Sequence, residues 1–172
     1  MKITFKKAVK EHKAIIKEWW HKPHVKEFWD NSASMWQNIE NYLDNDIKDI
    51  FDYWLVLDGN VPYALIMTSI IDEDAPLQYQ PYRDKDGITF SIDFMIGNED
   101  YLGKGFGAIT LQKFMQYCPG NVTIFLIDPS VNNKKAVRVY QKAGFIEVDR
   151  FTPDSGSFKG IEHILMQSTR YE

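Results

Sequence analysis

The chain has 172 residues, enough for one domain with a sizeable core and too few for two comfortable ones. Hydrophobic residues make up 44% and charged residues 26%, the balance of a soluble globule, and no apolar run is long enough for a membrane span. With 20 basic and 24 acidic side chains the net charge is −4, which argues against a nucleic-acid partner and permits a cationic one.

The predicted elements follow in chain order. Residues 3–9 alternate as a strand, and Met1 to Phe5 run straight into it with no cleavage site behind an apolar segment, so a cytoplasmic location is expected. Glu11 to Trp20 place Ile15, Ile16, Trp19 and Trp20 at helical spacing. Pro23 can then open a short helix reaching Trp29, and Met35 to Leu43 carry Trp36, Ile39, Tyr42 and Leu43 on one side of a third. Asp58-Gly59-Asn60 is a hairpin turn signal between strands at Tyr53–Leu57 and Val61–Ile71. Asp72 to Gly87 show no period, and a loop of that length is functional or disordered.

After it come a strand at Ile88–Ile96, a glycine turn, and a helix to about Tyr117 with Ile109, Leu111, Phe114 and Met115 as core candidates. Val122–Ile127 read as a fully buried strand. Asn132–Ala143 form an amphipathic helix capped by Gly144. Strands at Phe145–Arg150 and Ile161–Gln167 flank a turn-rich stretch from Thr152 to Ser157. The elements add up to a mixed α/β fold, a central, largely antiparallel sheet with helices on both faces. Cys118, the single cysteine, excludes an internal disulfide and reads as a buried structural thiol.

The turn Tyr101-Leu102-Gly103-Lys104-Gly105-Phe106-Gly107 is the strongest chemical signal. Three glycines in five positions let backbone amides approach a ligand, and a helix opening there adds the positive end of its dipole. That is an anion cradle suited to a pyrophosphate. A structural turn before a helix would explain it equally well, so its context decides.

The context is Ser91-Ile92-Asp93-Phe94-Met95-Ile96-Gly97 before the turn, and Asn133, Ala136, Tyr140, Gly144 and Phe145 at the spacing N-x-x-A-x-x-x-Y-x-x-x-G-F after it. This combination resembles the GNAT acetyltransferase superfamily. Leu102 to Gly107, Asp128-Pro129-Ser130, Thr152-Pro153-Asp154 and His24 to Trp29 sharpen the resemblance to its aminoglycoside 6′-N-acetyltransferase branch. Two departures stand out. Leu102 occupies the place of the usual Gln or Arg, and Pro62-Tyr63-Ala64 replaces the usual Gly-Tyr of the hairpin.

The resemblance implies direct acetyl transfer from acetyl-CoA to a primary amine of an aminoglycoside-like polyamine, an antibiotic-resistance activity, with no acyl-enzyme. It implies Asp93 and Tyr140 as catalytic residues, the first to take the amine's proton and the second to meet the leaving thiolate. A carboxylate of pKa ~3.9 cannot deprotonate an amine of pKa ~10.4 beforehand, a gap of about 9 kcal/mol. It can accept the proton as the C–N bond forms.

For the cofactor the resemblance implies Ile96, Gly103, Lys104, Gly105, Phe106, Gly107 and Asn133. For the acceptor it implies Asp93, Asp128, Asp154, Trp29 and Tyr53. Each also has a plain structural reading. Asp128 is an Asp-Pro turn residue, Asn133 a helix cap, and Tyr140 and most of the five tryptophans core aromatics. The acids of the long loop would attract a polyamine, although solvated charges explain them too. His21 and His24 complete no metal site. Pro23-His24 and Phe28-Trp29 also keep open a siderophore-precursor acetyltransferase; a ribosomal-protein or protein N-terminal acetylase and a silent acyl-CoA-binding module are further alternatives. Monomer and homodimer both remain open.

Overall fold

A computed structural model describes residues 1–170. The chain begins with β1 (Ile3–Lys7), α1 (Lys13–Trp20), α2 (Pro23–Lys26) and α3 (Ala33–Asn45). α1 starts later than its apolar spacing predicts, because Lys10–His12 tighten into a 3-10 turn with the Val9 amide bonded to His12 Nδ1 at 3.1 Å. α2 is a single turn, short of the predicted Trp29. Ser32 caps α3, its Oγ accepting the Met35 N–H at 3.2 Å, and Asp46 ends it in the left-handed region at φ 53°.

Next come β2 (Asp52–Asp58) and β3 (Val61–Ile70), neighbours in the sheet as the Asp-Gly-Asn signal predicts, and β4 (Ile88–Ile96), as expected. α4 (Phe106–Tyr117), β5 (Val122–Ile127), α5 (Lys134–Ala143), β6 (Ile146–Phe151) and β7 (His163–Thr169) follow. α5 begins at Lys134 because Asn133 is its cap, and Gly144 closes it at φ 103°. β5 is not fully buried, since Thr123 and Ile124 keep some exposure.

The seven strands form one mixed, mostly antiparallel sheet in the order β1-β2-β3-β4-β5-β7-β6. β4 and β5 run parallel from Ile88↔Val122 to Ser91↔Leu126, with α4 as their crossover, while β5–β7 and β6–β7 are antiparallel. No helix among the described residues is long and apolar enough to cross a membrane.

By packing, the chain divides into two compact units. The first takes residues 1–67 and 94–104, the second 68–93 and 105 onward. The first unit buries Ile16, Trp19, Trp20, Ile39, Tyr53, Leu55, Leu65 and Met95 together, with Trp29, Trp36 and Tyr42 against them. Gly97 closes this core just beyond β4. Its amide donates to the Tyr63 carbonyl at 2.8 Å, and a Cβ there would run into the Trp19 ring.

In the second unit Ile71, Leu126 and Leu165 form a core flanked by Tyr79, Tyr82, Val148 and Phe151. α4 buries Gly107, Thr110, Leu111, Phe114 and Met115, a stripe at i, i+3, i+4, i+7 and i+8. Ile109 falls outside that stripe and is 37% exposed, which corrects its assignment to the core. The 72–87 loop is ordered by side chains. It holds a 3-10 turn at Gln80–Tyr82, and Gln80 Nε2 donates to the carbonyls of Asp72, Glu73 and Ala75 at 2.8, 3.0 and 2.8 Å.

Gly97→Ala should destabilise the protein by about 1–3 kcal/mol through overpacking against Trp19. A denaturant titration reading the midpoint checks this, and an unchanged midpoint would mean that the indole yields freely.

Candidate active site

Two residues beyond the last paired positions of the parallel strands, Ser91 and Leu126, stand Asp93 and Asp128. Because side chains alternate along a strand, Asp93 shares a face with Ser91 and Asp128 shares one with Leu126. The two carboxylates feel each other's charge. α5 brings the Tyr140 hydroxyl to the same place, and the long loop brings Tyr79. All four residues belong to the second unit.

Both carboxyls are half-buried, and Tyr140 is buried. Loss of hydration, followed by the charge of Asp93, pushes the Asp128 carboxyl up to about 8, against the lowering effect of a hydrogen bond donated by the Tyr79 hydroxyl to Asp128 Oδ2 at 3.3 Å. Tyr140 is raised above the ordinary phenol range by burial and then by the charges of Asp93 and Asp128. Tyr79 is raised by burial and then by Asp128 and Asp93. Both phenols therefore stay neutral donors. Among the described residues no lysine or arginine forms a salt bridge with Asp128.

The glycine turn is anchored from the first unit. Tyr101 stacks on Tyr63 with ring centroids 4.4 Å apart, and the Asn98 side chain accepts the Asp100 amide at 3.1 Å. Gly103 and Gly105 adopt φ 71° and 83°, where a side chain would be strained, and open space lies where their Cβ atoms would be. Gly103, Lys104 and Gly105 are exposed, while Phe106 and Gly107 begin α4. Such a left-handed turn at the start of a 12-residue helix fits a pyrophosphate. Ile96 ends β4, its carbonyl accepting from His24 Nε2 at 2.8 Å. Asn133 Oδ1 accepts the Ala136 amide at 3.2 Å.

The remaining predicted contacts are placed less uniformly. Asp154 is exposed on the turn-rich segment, and its charge is not among those acting on Tyr79, Asp128 or Tyr140. Trp29, in the first unit, is half-buried and meets Trp20 edge-on at 6.1 Å. Tyr53 is fully enclosed between Tyr42 and Phe51, with ring centroids 4.8 and 6.4 Å away, so its ring offers no surface to an acceptor. That corrects the acceptor contact expected of it. Tyr79 was not among the predicted residues; the only hint was the tyrosine and proline content of its loop.

The family model for the acetyltransferase (GNAT) domain matches residues 8–152. The chain belongs to the GNAT acetyltransferase family. Among curated GNAT relatives, an aminoglycoside N(6')-acetyltransferase type 1 of Klebsiella pneumoniae is 25% identical over 162 residues, covering 90% of this chain and 79% of the relative. A crystal structure of an aminoglycoside N(6')acetyltransferase from Legionella pneumophila superposes with a TM-score of 0.83 at 28% identity, covering 98% of this chain and 94% of the other. Aminoglycoside acetyltransferase AAC(6')-Ib in complex with coenzyme A and kanamycin has a TM-score of 0.78 at 23% identity, over 98% and 95% of the two chains, a likeness of fold.

The raised Asp128 carboxyl has a consequence for this GNAT protein's stability. A group whose folded value lies above its ordinary 3.8 favours the folded state fully at pH values below about 4, and that contribution is lost as pH rises through about 8. Asp128→Asn keeps the shape without the charge. It should leave stability unchanged near pH 4 and raise it by about 1–3 kcal/mol near pH 9, allowing for solvent at a half-exposed group. Denaturant midpoints at the two pH values check this, and equal differences at both would contradict it.

Proposed function

We propose that the chain transfers an acetyl group from acetyl-CoA to a primary amine of an aminoglycoside-like polyamine, and so confers resistance. The observation that carries the acceptor assignment is the Asp93–Asp128 pair, two neighbouring carboxylates of which Asp128 forms no salt bridge with a lysine or arginine among the described residues. A polyamine's ammonium groups supply the missing positive charge. The family membership supports the reaction, and the Klebsiella and Legionella relatives, named as aminoglycoside N(6')-acetyltransferases, support the acceptor class.

In this reading Gly103, Lys104, Gly105, Phe106 and Gly107 hold the pyrophosphate of the cofactor through backbone amides and one lysine. Leu102, exposed beside them, brings no polar contact. The Asn133 side chain serves the pantetheine arm. The thioester supplies an acyl carbon already activated for attack.

Asp93 and Asp128 orient the acceptor's ammonium groups. Asp93, directly or through a water, takes the proton from the attacking nitrogen as the C–N bond forms. The Tyr140 hydroxyl, kept neutral by its surroundings, donates a hydrogen bond to the sulfur as the C–S bond breaks. Asp154 extends the acceptor site. One domain across the chain, a cytoplasmic location, no metal, and no nucleic-acid or membrane partner belong to the same reading, with monomer and homodimer both compatible.

Purified protein should release coenzyme A when given acetyl-CoA and a kanamycin-type acceptor, and Asp93→Asn should lower turnover by about 10²-fold. A thiol-detecting assay reads both. No release with any aminoglycoside would remove the acceptor assignment, and an unchanged rate in the variant would remove Asp93 from the chemistry.

A further inference from the structure

Tyr79 sits on a loop that is braced from several sides. The Tyr82 hydroxyl bonds to the Val148 carbonyl at 3.2 Å and to Asp149 Oδ2 at 3.0 Å, and Gln167 Nε2 donates to the Tyr82 carbonyl at 3.3 Å. Thr123 Oγ1 donates to Asp84 Oδ2 at 2.5 Å, and the Asp84 amide donates to Thr89 Oγ1 at 2.9 Å. With the Gln80 clamp on three carbonyls, these bonds tie the loop to β4, β5, β6 and β7.

The Tyr79 ring is wedged as well. It packs on the core of Ile71, Leu126 and Leu165 and meets Phe151 edge-on at 5.9 Å, while Phe151 stacks on His163 at 5.6 Å. Its hydroxyl donates to Asp128 Oδ2. A phenol held this firmly has little freedom to leave the carboxylate.

We infer that Tyr79 is a positioning residue for the acceptor: the braced loop fixes its hydroxyl on one oxygen of Asp128, leaving the other oxygen to receive an ammonium group. This rests on the proposed polyamine reading of the site. The groups facing Asp128 are Tyr79 from the loop, Asp93 from β4 and Tyr140 from α5. Of these, the Tyr79 hydroxyl is the one that favours the ionised form of Asp128, the form an ammonium needs. Asp93 opposes it.

The test compares Tyr79→Phe with Tyr82→Phe in the full chain. Tyr79→Phe removes the bond to Asp128, whereas Tyr82→Phe loosens the same loop without touching that carboxyl. For Tyr79→Phe the KM for a kanamycin-type acceptor should rise about tenfold. Its kcat should stay within about twofold and the KM for acetyl-CoA should be unchanged. The acidic limb of the kcat/KM profile should move to higher pH, and the carboxyl carbon signal of Asp128 should titrate above its wild-type midpoint. Tyr82→Phe should show neither shift.

Wild-type kinetics and wild-type titration in Tyr79→Phe would overturn the inference. So would a fall in kcat shared equally by both variants with no movement of the pH profile, which is the mark of a purely structural loop. A wild-type enzyme that acetylates no polyamine would defeat the proposed function instead, and the carboxyl titration, which needs no substrate, would still decide whether Tyr79 holds Asp128.

Discussion

Two carboxylates that repel each other at the open end of a parallel strand pair are the constraint around which the second unit is arranged. Water would relieve that repulsion at little cost, but Asp128 is too enclosed to be fully hydrated, and its proton affinity rises to about 8. What surrounds the pair is chosen accordingly. Tyr79 and Tyr140 are donors that cannot ionise under the same field, so each can give a hydrogen bond to negative charge at any physiological pH. In the proposed reaction Tyr79 serves the ground state at Asp128 and Tyr140 a developing thiolate.

The same constraint favours the proposed acceptor. A neutral amine would do nothing for the pair, and an anion would be excluded. Under the proposed function a polyamine's ammonium group replaces the proton on Asp128, so binding and site charge would be coupled. In the proposed reading the glycine turn faces the complementary problem, an anion to be held, and left-handed Gly103 and Gly105 let backbone amides approach it. Because the Leu102 side chain adds nothing polar, the proposed cofactor grip rests on those amides and on Lys104.

The sequence made legible whatever is encoded locally. The bounds of β4 and β5, the Asn133 cap, the Gly144 stop and the Asp-Gly-Asn turn all depend on residues within a few positions of one another, and the structure has them where the spacing puts them. Asp93 within β4, Asp128 just beyond β5 and Tyr140 on α5 lie close enough to act on one another electrostatically. What was hidden depends on distant partners. The 72–87 loop has no periodicity because its order comes from Gln80, Tyr82 and Asp84 reaching other elements, so Tyr79 gave no signal. Ile109 missed the core by one position of helical phase, and Tyr53 is hidden by rings contributed by residues 42 and 51.

The most direct test is the titration of Asp128 itself, followed by carbon NMR of its carboxyl without and with a saturating kanamycin-type acceptor. The account predicts a midpoint near 8 in the free protein and a fall into the ordinary carboxylate range when the acceptor is bound. A free-protein midpoint already in the ordinary range, or one that the acceptor leaves in place, would contradict it.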